Sequence, residues 1–374
     1  MRIAINARFL AYPYSEGYGN FIREIGYRLA VGHPETEFIF IYDKAPVKEL
    51  KEYPNIKNVV IGPAARHPVL WKYWYDYRLP AALKKYKADV FLSADGFCSL
   101  RSKVPQCLVV HDLAFLHYPH FIPSLHYWYY KRYTPRYLKK AKQVITVSEF
   151  SKKDIIDHYH IPVEKIDVVY NAAGSGFHPA DERVKEEFKM KYADGKEYFF
   201  FAGAIHPRKN LMGLLKAFSW FKKRQQSNMK LIIAGRLAWD YEELVESLKT
   251  FRFRDDVKLT GYLPADEISG LMASAYALVY PSYFEGFGMP VLEAMQSGVP
   301  VIASQTSAIP EVAGKAALLV NPDSHEETGQ AMALLYKDET LRSKLIIEGF
   351  ERAKQFSWEK SATQIWELLI KTAS

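Results

Sequence analysis

Residues 280–300 read YPSYFEGFGMPVLEAMQSGVP. Just before, the apolar run Ala277–Tyr280 has the length and composition of a short buried strand, and Pro281 and Ser282 bound it. Pro290 suits the first turn of a following helix, where a missing N–H costs nothing, and Gly298 suits the position just past its end. The stretch is therefore strand, glycine loop, helix start. Main-chain N–H groups of Gly286, Phe287, Gly288 and Met289, with the helix dipole behind them, would favour an anion. Glu285 falls in the loop and Glu293 near the first helical turn. Carboxylates on either side of an anion cradle repel phosphate but accept hydrogen bonds from hydroxyls. A phosphate flanked by hydroxyl-bearing groups describes a sugar nucleotide.

The run EGFGMPVLEAM, residues 285–295, places two glutamates with seven residues between them. It resembles the signature of family 4 retaining glycosyltransferases of the GT-B fold. That resemblance implies an α/β chain of two Rossmann-like domains facing across a cleft, with the donor held mainly by the second. It also implies that Glu285 contacts the donor sugar, that the amides of Gly286 to Met289 hold the diphosphate, and that Glu293 holds the ribose.

The chain has 374 residues, more than one hydrophobic core usually supports, so two domains are expected. Its 49% hydrophobic and 25% charged residues are those of an ordinary globular protein, with an aromatic content of 15% on the high side. Cys98 and Cys107 are the only cysteines, which argues against a disulfide framework and for a reducing compartment. No apolar run suggests a signal peptide or a membrane span. The net charge of +8 is uneven: residues 1–175 carry 25 Lys+Arg against 16 Asp+Glu, and the remainder 25 against 26. A basic N-terminal half suits either nucleic acid or an anionic membrane surface.

In that half, Arg2–Ala7, Phe38–Tyr42, Val59–Ile61, Val90–Ser93 and Gln106–Val110 are strand-like, with helical stretches between several of them, Pro80–Tyr86 included. Such alternation predicts a parallel sheet covered on both faces. The polar loop Ser15–Asn20 precedes a helix to about Ala30, with Asn20 as its expected cap. Its Gly17 and Gly19 lack the third glycine of a dinucleotide fingerprint. The resemblance implies that this loop covers the donor phosphates. His111 ends the fifth strand, where open α/β sheets place ligands, and the resemblance puts a histidine there beside the donor sugar.

From Leu113 to Ser148 there is no acidic residue but six basic ones, among many aromatics. Arg132, Arg136, Lys139 and Lys140 would share one helical face, with Tyr129, Tyr133 and Tyr137 on a neighbouring stripe, and Pro135 should kink the helix. Residues 115–142 thus suit an interfacial membrane helix, extended by Trp71–Tyr75 and Lys84–Lys87, or else an aromatic core stripe with a solvated basic face. A strand Val144–Val147 and a helix capped by Ser151 follow, and Ala172–Asp181 is the expected linker.

In the second half, Tyr198–Ala202 is a buried strand, and Asn210 should cap a helix to about Arg224. Arg208 and Lys209 just before it form a second anion site, which the resemblance assigns to the departing diphosphate. Many family members have Gly-Arg after the strand, whereas this chain has Gly203-Ala204, so either Arg208 substitutes or one contact is missing. Tyr262 and Leu263 would border the nucleobase, and Ser304–Glu311 resembles the family's serine-rich turn. The expected division is residues 1–172 for an acceptor-binding domain, 173–356 for a nucleotide-sugar domain, and 357–374 for a terminal helix crossing back to the first.

The implied function is retaining transfer of a hexose from a nucleotide-diphosphate sugar, GDP-mannose or a UDP-sugar, to a glycan or lipid-linked acceptor. The His-Pro-Arg-Lys-Asn stretch, residues 206–210, resembles bacterial mannosyltransferases of polysaccharide biosynthesis and favours mannose. Catalysis would rest on His111, Arg208, Lys209 and Glu285. A sugar-nucleotide epimerase of the same architecture and a non-catalytic sugar-nucleotide or membrane-surface binder are the alternatives. No Asp-x-Asp motif stands at a strand end and no Cys/His cluster has ligand spacing, so neither a catalytic metal nor a cofactor is expected. The expected location is the cytoplasm, at the inner face of the membrane, with no nucleic-acid partner.

Overall fold

The computed structural model describes residues 1–12, 17–47, 51–236 and 242–374. The chain divides into two compact units, Met1–Asn171 with Ser357–Ser374, and Ala172–Phe356. The first holds β1 (Arg2–Asn6), β2 (Glu37–Tyr42), β3 (Ile56–Val60), β4 (Val90–Ser93), β5 (Gln106–Val110), β6 (Gln143–Thr146) and β7 (Ile166–Val168). The second holds β8 (Tyr198–Ala202), β9 (Lys230–Ala234), β10 (Val257–Gly261), β11 (Ala277–Tyr280), β12 (Val301–Ser304) and β13 (Ala317–Val320).

Each unit has one parallel sheet. The strand orders are β3-β2-β1-β4-β5-β6-β7 and β10-β9-β8-β11-β12-β13. Both therefore follow the doubly wound Rossmann order, and each has one switch point, β1/β4 in the first unit and β8/β11 in the second. The strands read as continuous apolar runs because both faces are covered. In β8 the side chains of Tyr198, Phe199, Phe200 and Phe201 are fully buried, each contributing about 1.5–3 kcal/mol through burial.

The second sheet has close main-chain packing at the carboxyl ends of β8 and β9. A Cβ on Gly235, after β9, would stand 1.8 Å from the carbonyl oxygen of Gly203, after β8. Only glycine allows these two turns to approach so closely.

Several local expectations need correction. The first helix starts at Gly17, so Asn20 lies inside it rather than capping it, while Ser15 and Glu16 of the expected loop lie outside the described residues. Ser148, not Ser151, caps the helix Glu149–Tyr159 by accepting from the Ser151 amide. The helix Ser124–Lys140 continues past Pro135, which has no N–H to give to the main-chain ladder. Its tyrosines face inward: Tyr129 and Tyr137 are buried, share a 2.5 Å hydroxyl contact and pack beside Phe97. Trp71, Trp74 and Tyr75 are buried as well, so they do not extend a surface patch. Lys131, Arg132, Arg136, Lys139 and Lys140 remain exposed, together with Leu125 and Trp128.

The terminal helix Trp358–Ala373 belongs to the first unit. Ser357 caps it, Trp358 meets Phe21 edge-on, Trp366 stacks on His33, and Thr372 reaches the Cys107 thiol at 3.1 Å.

Candidate functional site

In the second unit the switch point brings together two loops far apart in sequence. After β8 comes His206–Lys209, a short helical turn whose next residue, Asn210, caps the helix Leu211–Gln225 by accepting from the Gly213 amide. The Asn210 side-chain amide also donates to the carbonyls of Pro281 and Pro322, fixing the turn against the loop after β11. That second loop carries Glu285.

The Glu285 side chain is nine-tenths buried and is the hub of the site. Lys209 Nζ donates to its Oε1 at 2.6 Å, and the Tyr280 hydroxyl donates to the same oxygen at 3.0 Å. Lys209 also donates to the Tyr280 hydroxyl at 2.7 Å. Arg208 Nη1 donates to the Phe284 carbonyl at 2.9 Å and lies 3.8 Å from Glu285 Oε2. Burial alone would raise the Glu285 pKa, but the charges of Lys209 and Arg208 and the Lys209 hydrogen bond outweigh it, so the group is held below the usual carboxylate range. Two cations against one carboxylate leave a net positive charge beside the loop amides.

The Glu285 backbone is fixed from the turn after β12. Ser307 Oγ accepts from the Glu285 amide at 2.9 Å, and the Ala308 amide donates to the Glu285 carbonyl at 3.3 Å. Gly288 then takes φ +101° at the entry to the helix Met289–Gln296, whose first residues are Met289 and Pro290. Phe287 is buried, so what the loop offers a ligand is its main chain. Glu293 stands in the second helical turn rather than the first and is partly buried. Burial without a compensating partner pushes its carboxyl up to about 7. Tyr262 and Leu263 follow β10 at the same sheet end, with Tyr262 exposed.

In the first unit His111 stands at the carboxyl end of β5. Its Nε2 lies 3.0 Å from the Ala94 carbonyl, which places the proton on that nitrogen and leaves Nδ1 as an acceptor. Tyr18 and Phe21 meet the ring edge-on at 4.8 and 5.2 Å. Burial lowers its pKa and so favours the neutral ring, against smaller opposing effects from Ala94 and two aspartates. Tyr18 lies between Gly17 and Gly19, so the glycine-bearing helix start and His111 are neighbours.

The first unit also holds a buried charged cluster that the sequence reading missed. Arg8 is buried, donates to the Ala65 carbonyl at 2.6 Å and lies 3.3 and 3.4 Å from Asp43 and Asp95. The Tyr75 hydroxyl lies 2.7 Å from Asp95. Tyr280 and Ser307 were missed in the second unit. Their signals were faint: Tyr280 reads as an apolar strand residue, and Ser307 as one of several turn residues.

Residues 182–352 match the family described as glycosyl transferases group 1, and residues 27–173 match glycosyltransferase family 4. The O-antigen chain mannosyltransferase B of Escherichia coli is 28% identical over 97% of this chain and 98% of its own length. The O-antigen chain mannosyltransferase RfbU of Salmonella typhimurium is 31% identical over 75% of this chain and 74% of its own. Among solved structures, sucrose-phosphate synthase from Thermosynechococcus elongatus superposes with a TM-score of 0.81 at 18% identity, covering 99% of this chain and 98% of its own. WaaG, described as a glycosyltransferase involved in lipopolysaccharide biosynthesis, gives 0.80 at 14% identity, covering 99% of each chain.

Proposed function

Because the chain belongs to the family 4 glycosyltransferases and is a glycosyltransferase enzyme of polysaccharide biosynthesis, we propose that it moves mannose from GDP-mannose to a glycan or lipid-linked acceptor, with retention of configuration. The choice of mannose rests on the relatives, several of which are mannosyltransferases. The observation that carries the donor site is the Lys209–Glu285–Arg208 cluster at the second switch point, next to the glycine loop and the helix start.

In this reading the bond between the anomeric carbon and the diphosphate oxygen breaks, and the leaving diphosphate keeps the electron pair. Arg208, Lys209 and the amides of residues 286–289 stabilise the growing charge. The acceptor oxygen attacks from the same face and gives its proton to a donor phosphate oxygen. Glu285 positions the sugar and Glu293 accepts from the ribose hydroxyls. Tyr262 and Leu263 border the base. Within the first unit, His111, Gly17 and Gly19 are assigned to substrate contact, and this unit recognises the acceptor.

The enzyme works at the inner face of the membrane. No helix among the described residues is long and apolar enough to cross one. The exposed Trp128, Leu125 and basic residues of the helix Ser124–Lys140 would instead rest on anionic lipid. Salt-sensitive flotation with anionic vesicles, lost when Lys139 and Lys140 become glutamate, is expected; binding to neutral vesicles alone would contradict it.

Incubation with GDP-mannose and an acceptor glycan should yield an α-linked product by nuclear magnetic resonance, as in the donor. A β-linked product would overturn retention, and turnover with UDP-sugars alone would overturn the donor.

A further inference from the structure

Outside these sites, one group of side chains has the composition and geometry of a metal-binding set. His117 ends the short helix Ala114–His117, which follows His111 directly. Asp154 and His158 lie one turn apart on the helix Glu149–Tyr159. His117 Nε2 stands 2.9 and 3.0 Å from the two Asp154 oxygens, and His158 Nδ1 stands 3.0 Å from Asp154 Oδ1. One donor atom from each residue falls within 4.8 Å of the others. The carboxylate is buried while both imidazoles are exposed, so an ion could reach the set from solvent. The sequence hides it, because His117 and Asp154 are 37 residues apart.

We propose that His117, Asp154 and His158 bind one divalent transition ion of the zinc class. Two imidazoles and one carboxylate form a mixed nitrogen and oxygen set that suits zinc, cobalt or nickel and disfavours magnesium or calcium. Ligand atoms at about 2.0–2.1 Å in a tetrahedral site lie about 3.3 Å from each other, so the two histidine–aspartate spacings must open by only a few tenths of an ångström. With no ion, His117 Nε2 is hydrogen-bonded to the Asp154 carboxylate and His158 Nδ1 to the Asp154 main-chain carbonyl at 3.0 Å, a clamp in its place. The two states exclude each other, since each proton stands where an ion–ligand bond would form.

The bound ion would tie the segment after His111 to the helix Glu149–Tyr159. It fastens the chain beside the site and takes no part in sugar transfer.

The test is a titration of cobalt(II) into the chelator-treated full-length protein, followed by visible absorption and calorimetry. One equivalent should bind with intense tetrahedral-type bands, and zinc should displace it. His117→Ala and His158→Ala should each weaken binding more than tenfold, and His178→Ala should leave it unchanged. Asp154→Asn, which keeps the side-chain shape, gives a second route should a histidine variant fold poorly. Zinc should also raise the melting temperature of the wild type and of His178→Ala, and not of the His117, His158 and Asp154 variants. Absence of saturable binding at one equivalent, or equal binding by the histidine variants, would overturn the proposal.

Discussion

Glu285 is the residue on which most of the site depends. It is a buried carboxylate whose ionised form is maintained by Lys209 and Arg208. Removing Lys209 would leave that charge buried with a weaker partner, so Lys209→Ala should cost about 3 to 5 kcal/mol in urea unfolding. Adding Glu285→Gln to that background should restore part of the loss; a fully additive double variant would refute the coupling. Glu285→Gln alone should preserve nucleotide binding within a few fold while transfer falls on the order of 100-fold, because the amide no longer meets the sugar as an anion.

Glu293 makes the opposite prediction. Its carboxyl is raised to about 7 in the folded protein by burial, above its unfolded value. It therefore contributes stability that is fully present at acid pH, below the unfolded pKa, and is lost as pH rises through about 7. Unfolding of the ligand-free protein across pH 4.5 to 7.5 should show this decline, and Glu293→Gln should flatten it. An unchanged slope would remove Glu293 as its source.

At the level of elements, the switch point explains why Lys209 and Glu285 meet, since β8 and β11 are neighbours in the sheet while 76 residues separate the pair in sequence. Local pattern located both loops and the cap at Asn210. It could not show that Tyr280 completes the cluster or that Ser307 pins the Glu285 backbone, because those contacts depend on strand order. The tyrosines of the helix Ser124–Lys140 had two readings in sequence, core or lipid, and the fold assigns Tyr129 and Tyr137 to the core. Asn20 and Ser151 were misplaced as caps because Ser and Asn near a helix start all satisfy the same local rule. The close approach of Gly203 and Gly235 was equally invisible, being a contact between adjacent strand ends. Gly235→Ala should therefore cost about 1 to 3 kcal/mol or more, read as a fall in melting temperature; a neutral effect would mean that the two turns can part freely.

For the whole molecule, the alternation of strands and helices was legible, and so was a two-part chain. The repeated Rossmann order in both units explains why: parallel strands buried on both faces leave long apolar runs between amphipathic helices. The Arg8–Asp43–Asp95 cluster was not legible, since its members come from three separate strand ends of the first unit.

The most direct measurement of the central claim is calorimetric titration of the full-length protein with GDP, GDP-mannose, UDP and ADP, repeated with Arg208→Gln. One equivalent of GDP or GDP-mannose should bind in preference to the others, and the variant should bind it at least tenfold more weakly. Failure of every nucleotide to bind, or binding indifferent to Arg208, would contradict a donor site built on the second switch point.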